Sequence, residues 1–340
     1  MQDRPQPSPL RIGIMSFAHL HAESYAHQLK ALPDIDFIGI ADDDLERGQR
    51  FAQRYDVPFF ESYDALLAQQ PDGVIVCSEN ARHRPLVEQA AAAGVHVMCE
   101  KPLATTLEDG RAMLRACEDA GVILMTAFPM RFSAPLLEIK TLLDQEGLGR
   151  VLAVNSVNQG QMPKRYRDWF VDRELAGGGS VFDHTVHLAD VLRWYLQDEV
   201  VEVYAQTNRI MHRDEVEVET GGLILLTFAN GTFASIDCSW SRPMNYPTWG
   251  GLALQLIGQK GVVHVDAFSQ NIEAYSNTDL PAWIPWLSDP DGAMVGEFAS
   301  AIRERRQPRV TGYDGYKAME VALAAYRSAA LGQPISLPLS

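Results

Sequence analysis

The first half of the chain alternates short apolar runs with helix-like segments, and this alternation constrains the fold more than any other feature. The runs are nearly continuous in apolar residues, as strands are when helices cover both faces of a parallel sheet. Right-handed crossovers through the intervening helices then give a doubly wound α/β sheet. The predicted strands are residues 11–15, 37–41, 73–77, 95–99 and 122–126.

The second half has a different pattern, in which strand-like segments follow one another closely after predicted helices at 132–147 and 180–196. Tight turns at 229–232 and 258–261 join neighbouring segments as hairpins, which indicates an antiparallel sheet. One face of this sheet should pack on helices, and a partner subunit is the usual cover for the other. We therefore expect a homodimer or homotetramer. The predicted strands are residues 200–210, 220–229, 231–240, 251–258 and 261–267.

A length of 340 residues suits about two domains. We predict a disordered, proline-rich tail over 1–9, a first domain over 10–128 and a second over 129–340, with its last helices returning towards the first domain. The apolar segment 283–287 is predicted to be an exposed loop, either at a subunit contact or at the rim of a substrate pocket.

Charge and composition exclude several classes of partner. The net charge of −15 argues against a nucleic acid or an anionic membrane surface. No apolar run is long enough to span a bilayer, and the polar start lacks the apolar core of a signal peptide. The four cysteines form no C-x-x-C pair, which indicates buried free thiols and a cytoplasmic protein.

Ligands of a doubly wound sheet bind beyond the carboxyl ends of its strands. Asp42 ends the second predicted strand, where a carboxylate can accept hydrogen bonds from both hydroxyls of an adenosine ribose. Asp43 and Asp44 add negative charge that would repel a 2′-phosphate, and no arginine follows directly, so NAD is favoured over NADP. A solvated acidic turn is the alternative. The residues at the strand ends are Ser16, Phe17, Ala18, His19, Asp42, Ser78, Asn80, Glu100 and Lys101.

The first turn lacks the G-x-G-x-x-G fingerprint of dinucleotide-binding proteins and has Ser16, Ala18 and His21 instead. The methyl group of Ala18 stands where the backbone should approach the pyrophosphate, although the helix N-terminus still offers N–H groups. His19 and His21 also raise the alternative of a metal site. Because no third ligand has a recognisable spacing, we predict that they face the nicotinamide or the substrate, and we predict no metal.

A loop of three glycines, residues 177–179, precedes a predicted helix that carries two chemically useful side chains. Ser180 is predicted as the helix N-cap, with Asp183 completing a capping box. Asp183 and His187 are four residues apart and share a helix face, which suits proton transfer to a bound small molecule. The alternative is that Asp183 only caps the helix and His187 is a half-buried structural histidine.

Two further segments supply candidate groups. Lys101 directly follows a buried strand, where burial and neighbours can tune its pKa. Tyr166 and Trp169 belong to a loop of mixed aromatic and charged residues, 162–170. Such rings can cover the apolar face of a sugar, or they can form an aromatic hinge between domains.

Together these motifs resemble the glucose–fructose oxidoreductase, inositol dehydrogenase and rhizopine-catabolism (Gfo/Idh/MocA) family, over almost the whole chain. The pair Asn80 and His83 matches its N-x-x-H motif, and residues 91–104 are similar to its most distinctive segment. Arg131 and the following phenylalanine match its R-F motif. Residues 177–187 are similar to its G-G-G-x-x-x-D-x-x-x-H block.

The resemblance implies an NAD(P)-dependent oxidoreductase of sugars, inositols or related polyols, with a Rossmann-like domain followed by an open, mostly antiparallel sheet. It places the catalytic residues at Lys101, Asp183 and His187. Thr185 stands where the family has glycine, and the glycine-rich turn is replaced. The predicted cofactor contacts are Ser16, Phe17, Ala18, His19, Asp42, Ser78, Asn80, His83, Glu100 and Lys101, and the predicted substrate contacts are Lys101, Arg131, Tyr166, Trp169, Asp183, His184 and His187.

The mechanistic hypothesis is that a hydroxyl of a cyclic polyol or sugar is oxidised to a ketone, with hydride transfer to NAD. His187 accepts the hydroxyl proton, Lys101 stabilises the developing charge on the same oxygen, and Asp183 orients the pair. Two alternatives stay open at this point: a binding or regulatory protein on a retired dehydrogenase scaffold, and a glycoside-cleaving enzyme that recycles bound NAD.

Overall fold

The structure is a computed structural model that describes residues 8–269, 271–274, 282–285 and 289–339. The predicted tail therefore lies outside the described residues up to residue 7. Of the predicted apolar loop, Trp283–Pro285 belong to a short strand, whereas residues 286 and 287 lie outside the described residues.

The first sheet has six parallel strands in the order β3-β2-β1-β4-β5-β6, which confirms the doubly wound prediction. Its strands are β1 (Leu10–Met15), β2 (Ile35–Ala41), β3 (Phe59–Phe60), β4 (Gly73–Val76), β5 (His96–Cys99) and β6 (Leu124–Thr126). Its helices are α1 (Ala22–Ala31), α2 (Leu45–Tyr55), α3 (Tyr63–Leu67), α4 (His83–Ala92) and α5 (Leu107–Ala120).

Burial on both faces explains why the strands of this sheet are apolar throughout. All residues of β4 are buried, and so are the last four residues of β1. Helix ends follow local chemistry: the Thr106 side chain accepts the Asp109 N–H at the start of α5, and Gly121 ends the helix in the left-handed region. These strands therefore bring their carboxyl ends to one edge, where the polar turns gather.

The second sheet has seven strands in the order β12-β11-β7-β10-β9-β8-β15. All its pairs are antiparallel except β7 with β10, so the prediction of an open, mostly antiparallel sheet is confirmed. A separate hairpin pairs β13 with β14. The strands are β7 (Val151–Gln161), β8 (Val200–Asn208), β9 (Gly221–Phe228), β10 (Phe233–Arg242), β11 (Leu252–Gly258), β12 (Gly261–Asp266), β13 (Asn271–Ala274), β14 (Ala282–Pro285) and β15 (Ile335–Ser336).

The helices of the second half tie the two sheets together. Helix α10 packs on α8 and β8 and also on α5, while α9 packs on α1. Among the described residues, no helix combines the length and apolar character that crossing a membrane requires. The helices are α6 (Ala134–Asp144), α7 (Arg173–Ala176), α8 (Ser180–Leu196), α9 (Pro290–Glu304) and α10 (Gly312–Leu331).

The two faces of the second sheet differ in their surroundings. Ile224, Leu226 and Ile236 point into the core. The alternate residues on the other face are exposed although several are large and apolar. The exposed apolar residues of this face are Val157, Leu223, Leu225, Phe233 and Val262.

Candidate active site

A cavity of 500 Å³ lies where the carboxyl end of β5 meets the first turns of α8. It contains the three side chains that the resemblance placed at the catalytic centre. A larger groove of 890 Å³ beside β6 contains none of the predicted site residues. The polar residues that line the smaller cavity are His21, Lys101, Asn158, Asp183, His184, His187, Asp289 and Asp291, and its apolar wall includes Met130, Trp249, Leu252 and Phe268.

Lys101 and Asp183 form a buried ion pair across the domain junction. The Lys101 Nζ lies 2.7 Å from Asp183 Oδ1, and both residues are less than one-tenth exposed. Burial alone would raise the pKa of the Asp183 carboxyl, but the Lys101 ammonium outweighs it and holds that pKa well below its usual range. The Asp183 carboxylate is therefore ionised at neutral pH.

His187 lies one helical turn after Asp183 and lines the same cavity, with its ring edge against Phe128 at a centroid distance of 5.8 Å. Burial and then the Lys101 charge hold the pKa of His187 well below 6.5. Its Nδ1 is buried, and no group among the described residues hydrogen-bonds it. At neutral pH this imidazole is uncharged, which is the state that a proton acceptor needs.

The start of α8 is capped by a residue that is distant in sequence, so the prediction of Ser180 as N-cap is wrong. The N-cap is Gly179, and the buried Ser180 hydroxyl has no hydrogen-bond partner in the part of the chain that the structure describes. Glu219 Oε1 accepts the N–H groups of Gly179 and Val181 at 2.9 and 3.0 Å, and the Tyr326 hydroxyl at 2.7 Å. Glu219 thus fixes the helix end that carries Asp183 and His187.

Replacing Gly179 with alanine is expected to destabilise the protein by about 3 kcal/mol, as strongly overpacked sites are. The new Cβ would lie 2.0 Å from the backbone oxygen of Glu219, so the start of α8 would have to move. Urea denaturation measures the change. The matched control is Gly296→Ala in α9, where the Cβ meets no atom within 4 Å and a gain of about 0.5–1 kcal/mol is expected. Equal stability of the two variants would contradict the prediction.

His184 also lines the cavity and is fixed by Asn158. The Asn158 amide donates to the His184 backbone oxygen at 3.0 Å, so its Oδ1 accepts from His184 Nδ1 at 3.1 Å. Burial lowers the pKa of His184 to about 4, which leaves it neutral. Thr185, where the family has glycine, is buried with its hydroxyl 3.6 Å from Cys238 Sγ.

The turn after β1 keeps the backbone of a glycine-rich loop without its glycines. Ser16 has a φ of +74°, in the left-handed region that glycine favours at this position. Its hydroxyl accepts the Ala18 N–H at 3.2 Å, and Ala18 is completely buried. The Phe17 ring stacks on Phe51 at 4.6 Å and points away from the turn into the core.

Asp42 ends β2 as predicted, but an arginine lies against it. Arg47, in the first turns of α2, donates from Nε to Asp42 Oδ2 at 2.9 Å and from Nη2 to Oδ1 at 2.6 Å. The N–H groups of Phe17 and Asp44 fill the remaining sites of the carboxylate. No arginine directly follows Asp42 in the sequence, but Arg47 of the next helix returns to this strand end and pairs with the carboxylate.

Residues after β4 form hydrogen bonds both within the first domain and to the second domain. Asn80 Nδ2 donates to the Ala176 backbone oxygen at 2.8 Å, while its buried Oδ1 has no partner among the residues that the structure describes. His83 is fully buried, with Nδ1 3.1 Å from the Pro102 oxygen and Nε2 3.3 Å from that of Ser78. Its ring joins the ends of β4 and β5, and the contact of His83 with the cofactor stays a prediction.

Three residues predicted to bind substrate are not brought into the cavity. Arg131 is buried in ion pairs with Asp190 and Asp314. Trp169 is buried and donates to the Ala18 oxygen at 3.0 Å, and Tyr166 donates to Gln161 Oε1 at 2.7 Å. Two other aromatic rings, those of Trp249 and Phe268, do line the cavity, and the sequence reasoning missed them because no motif marks them.

The Glu100 carboxylate lies beside the two histidines of the first turn, His19 and His21. Its Oε1 accepts the Tyr25 hydroxyl at 2.5 Å and lies 3.1 Å from His21 Nδ1 and 3.7 Å from His19 Nδ1. His19, His21 and Glu100 are close enough to one another to hold a metal ion. Glu100 is the third ligand, which the spacing of residues along the sequence did not reveal. The Glu100 carboxylate nevertheless has protein donors for both oxygens, since Oε2 accepts the Lys101 N–H.

Comparisons with known proteins agree with this geometry. Residues 10–128 match a family model described as an oxidoreductase family with an NAD-binding Rossmann fold, and residues 136–264 match the GFO/IDH/MocA C-terminal domain. A 1,5-anhydro-D-fructose reductase of Ensifer adhaerens is 32% identical over 268 residues, which are 77% of this chain and 78% of that protein. A myo-inositol 2-dehydrogenase of Thermotoga maritima is 25% identical, over 94% of this chain and 96% of that protein.

Solved structures give the same result. GenD2 from gentamicin A biosynthesis, crystallised in complex with NAD, superposes with a TM-score of 0.89 at 26% identity, over 100% of this chain and 99% of that one. An aldose–aldose oxidoreductase from Caulobacter crescentus, complexed with glycerol, has a TM-score of 0.82 at 28% identity, over 97% of this chain and 100% of that one. The chain therefore belongs to the Gfo/Idh/MocA family of oxidoreductases.

Proposed function

We propose that this protein is an NAD-dependent oxidoreductase that oxidises one hydroxyl of a sugar, inositol or related cyclic polyol to a ketone, or catalyses the reverse reaction. The observation that carries the proposal is the shared cavity of Lys101, Asp183 and His187, in which the lysine comes from the first domain and the other two from the second. The four cysteines are buried and free, which suits our further proposal of a cytoplasmic location.

The side chains of the cavity divide the work of the reaction. Bound NAD supplies the hydride acceptor. The Lys101 ammonium donates a hydrogen bond to the reacting oxygen and stabilises the negative charge that develops on it. Asp183 positions Lys101 through their ion pair, and the neutral His187 accepts the hydroxyl proton. The other hydroxyls of the substrate face polar groups such as Asn158. The apolar face of the substrate ring lies against the ring of Trp249.

The first domain fits a dinucleotide. The left-handed Ser16 leads towards the start of α1, whose positive dipole end would face the pyrophosphate, once the N–H groups of Ala22 and Glu23 leave the carbonyl oxygens to which they donate. The buried Asn80 Oδ1 without a partner is an acceptor that a ribose hydroxyl would satisfy. Asp42 would accept hydrogen bonds from the hydroxyls of the adenosine ribose, which would then share its carboxylate with Arg47.

We expect NADH to bind at least about tenfold more tightly than NADPH, because the three carboxylates of Asp42, Asp43 and Asp44 outnumber the two guanidinium groups that pair with them, those of Arg47 and Arg82. In Asp42→Ser, Arg47 loses its main partner and is free to pair with a 2′-phosphate, so the preference for NADH over NADPH should decrease. Fluorescence titration of both reduced nucleotides measures it. Tighter binding of NADPH to the wild-type protein would reverse the assignment.

The experiment that tests the proposed function is incubation with NAD and a panel of aldoses, inositols and their glycosides. We expect NADH to form in proportion to a ketone or lactone product identified by mass spectrometry. Tight NAD binding without any turnover of the panel would instead support a binding protein. Cleavage of a glycoside without net NADH would support an enzyme that recycles its cofactor.

We also propose a homodimer or homotetramer built on the open face of the second sheet. Replacing both Leu223 and Leu225 with glutamate places charge in the middle of this apolar face, so the assembly should dissociate to monomers. Light scattering after size-exclusion chromatography measures the mass. The control is Leu331→Glu, since Leu331 is equally exposed but lies at the end of α10. A wild-type monomer would contradict the proposal.

A further inference from the structure

Glu79 is a buried acid to which the reaction outlined above gives no role. It follows β4 and directly precedes a short 3-10 helix over Asn80–Arg82, which its side chain does not cap. The residue is only 7% exposed, and its Oε2 is buried. Among the described residues, no group donates a hydrogen bond to that oxygen. Because a buried acceptor without a donor is costly, the structure indicates that a ligand supplies the donor.

The next side chain along the chain has the same need. Asn80 Oδ1, the acceptor that we propose for a ribose hydroxyl, is also buried and without a donor in the part of the chain that the structure describes. Buried polar atoms of a folded protein nearly always have a hydrogen-bond partner. Two such acceptors on adjacent residues at the carboxyl end of β4 therefore indicate a ligand rich in hydroxyl groups at this edge of the first sheet.

A chain of ion pairs connects Glu79 to the carboxylate that ends β2. Arg82 Nη1 lies 3.5 Å from Glu79 Oε2, in an ion pair without a hydrogen bond, and 2.7 Å from Asp43 Oδ2. Arg47 in turn pairs with Asp43 at 3.2 Å and with Asp42 at 2.6 Å. Glu79 therefore belongs to the same group of charges as Asp42, the carboxylate that we propose for the adenosine ribose.

The acids of this group outnumber its bases. Burial alone would lower the pKa of Arg47, but the neighbouring carboxylates, of which Asp42 has the largest effect and Glu79 the next, outweigh burial and raise that pKa. Each guanidinium lies between two or more carboxylates, so neither is free to bind an added phosphate. The acids are Asp42, Asp43, Asp44 and Glu79, and the bases are Arg47 and Arg82.

We propose that Glu79 is a second residue that selects the coenzyme: its Oε2 accepts a hydroxyl of the adenosine ribose of NAD, and its charge opposes the 2′-phosphate of NADP. The inference rests on the nicotinamide coenzyme of the proposed function. A ribose hydroxyl donates the hydrogen that Oε2 lacks. A phosphate in its place is ionised at neutral pH and would bring further negative charge against a buried carboxylate.

Fluorescence titration of the full chain with NADH and with NADPH tests the proposal without any substrate. Glu79→Gln keeps the size of the side chain and one acceptor oxygen but removes the charge. The Kd for NADPH should therefore fall about tenfold, whereas the Kd for NADH should change by less than about threefold. Glu79→Ala removes the acceptor as well, so NADH should bind about fivefold to tenfold more weakly.

The matched control is Glu88→Gln, which removes the same charge from α4. Glu88 pairs with Arg84 and with neither arginine of the charged group, so both Kd values should stay within about twofold of the wild-type values. The double variant Asp42→Ser/Glu79→Gln releases Arg47 and Arg82 together. It should bind NADPH more tightly than NADH.

The ratio of the two Kd values decides the outcome. An equal ratio in Glu79→Gln and the wild-type protein would overturn the proposal, and so would weaker NADPH binding in this variant. The titrations need no turnover, so they are separate from the proposed activity. A protein that binds NADH with a preference that depends on Glu79, but reduces NAD with no polyol, would support this inference and refute that activity. A wild-type protein that binds neither nucleotide would refute both.

Discussion

Replacing Lys101 with methionine is expected to lower kcat by about a thousandfold, because the substrate oxygen loses the donor that stabilises its developing charge. Methionine keeps much of the volume of lysine but has no ammonium. The variant also leaves Asp183 buried without its partner, which should cost about 3–5 kcal/mol of stability. Steady-state kinetics and urea denaturation measure the two effects separately.

The double variant Lys101→Met/Asp183→Asn distinguishes catalysis from stability. Removing the negative charge as well should recover most of the lost stability, because an asparagine has no full charge to desolvate. It should recover none of the activity, since the ammonium is still missing. Recovery of turnover together with stability would show that Lys101 serves only as the counter-ion of Asp183.

Replacing His187 with alanine is expected to lower turnover by about two to four powers of ten, the usual contribution of a general base together with its positioning. NAD affinity should change little, because His187 belongs to α8 whereas the nucleotide turn follows β1. Stopped-flow kinetics and calorimetric titration with NAD measure the two quantities. Added imidazole should restore part of the rate, since the deletion leaves a space beside Phe128.

The control for this variant is His27→Ala, which changes an exposed histidine of α1. It should retain wild-type turnover and NAD affinity. Unchanged turnover in His187→Ala would remove this imidazole from the mechanism. A large loss of NAD affinity in that variant would instead indicate that His187 supports the nucleotide site.

The fold could be predicted in most parts because its strands and helices have clear periodicity and are separated by turn residues. The hairpins at Asn230–Gly231 and Gln259–Lys260 are examples, since their turn chemistry is local. β3 and α3 were not predicted because they span only Phe59–Phe60 and Tyr63–Leu67, which is too short for a pattern to show.

The residues of the candidate site could be predicted where they belong to a sequence motif. Their partners could not be predicted where these come from another helix or strand. Lys101 and Asp183 are 82 residues apart, and their 2.7 Å contact follows from the family resemblance rather than from any local rule. Glu219 replaces the expected cap by Ser180, and Arg47 reaches Asp42 from α2. Such contacts depend on how elements pack, which spacing along the chain does not encode.

The segment 163–171 bears on any attempt to redesign this protein. Arg167 Nε and Trp169 Nε1 both donate to the Ala18 carbonyl, and Arg167 also pairs with Glu23 of α1. The same segment includes Tyr166, whose ring centroid lies 5.5 Å from that of Trp249 in the cavity wall. Mutagenesis aimed at a new substrate is therefore expected to disturb the turn after β1, where we propose that NAD binds, and libraries that vary both regions together should yield improved variants more often than libraries that vary either one.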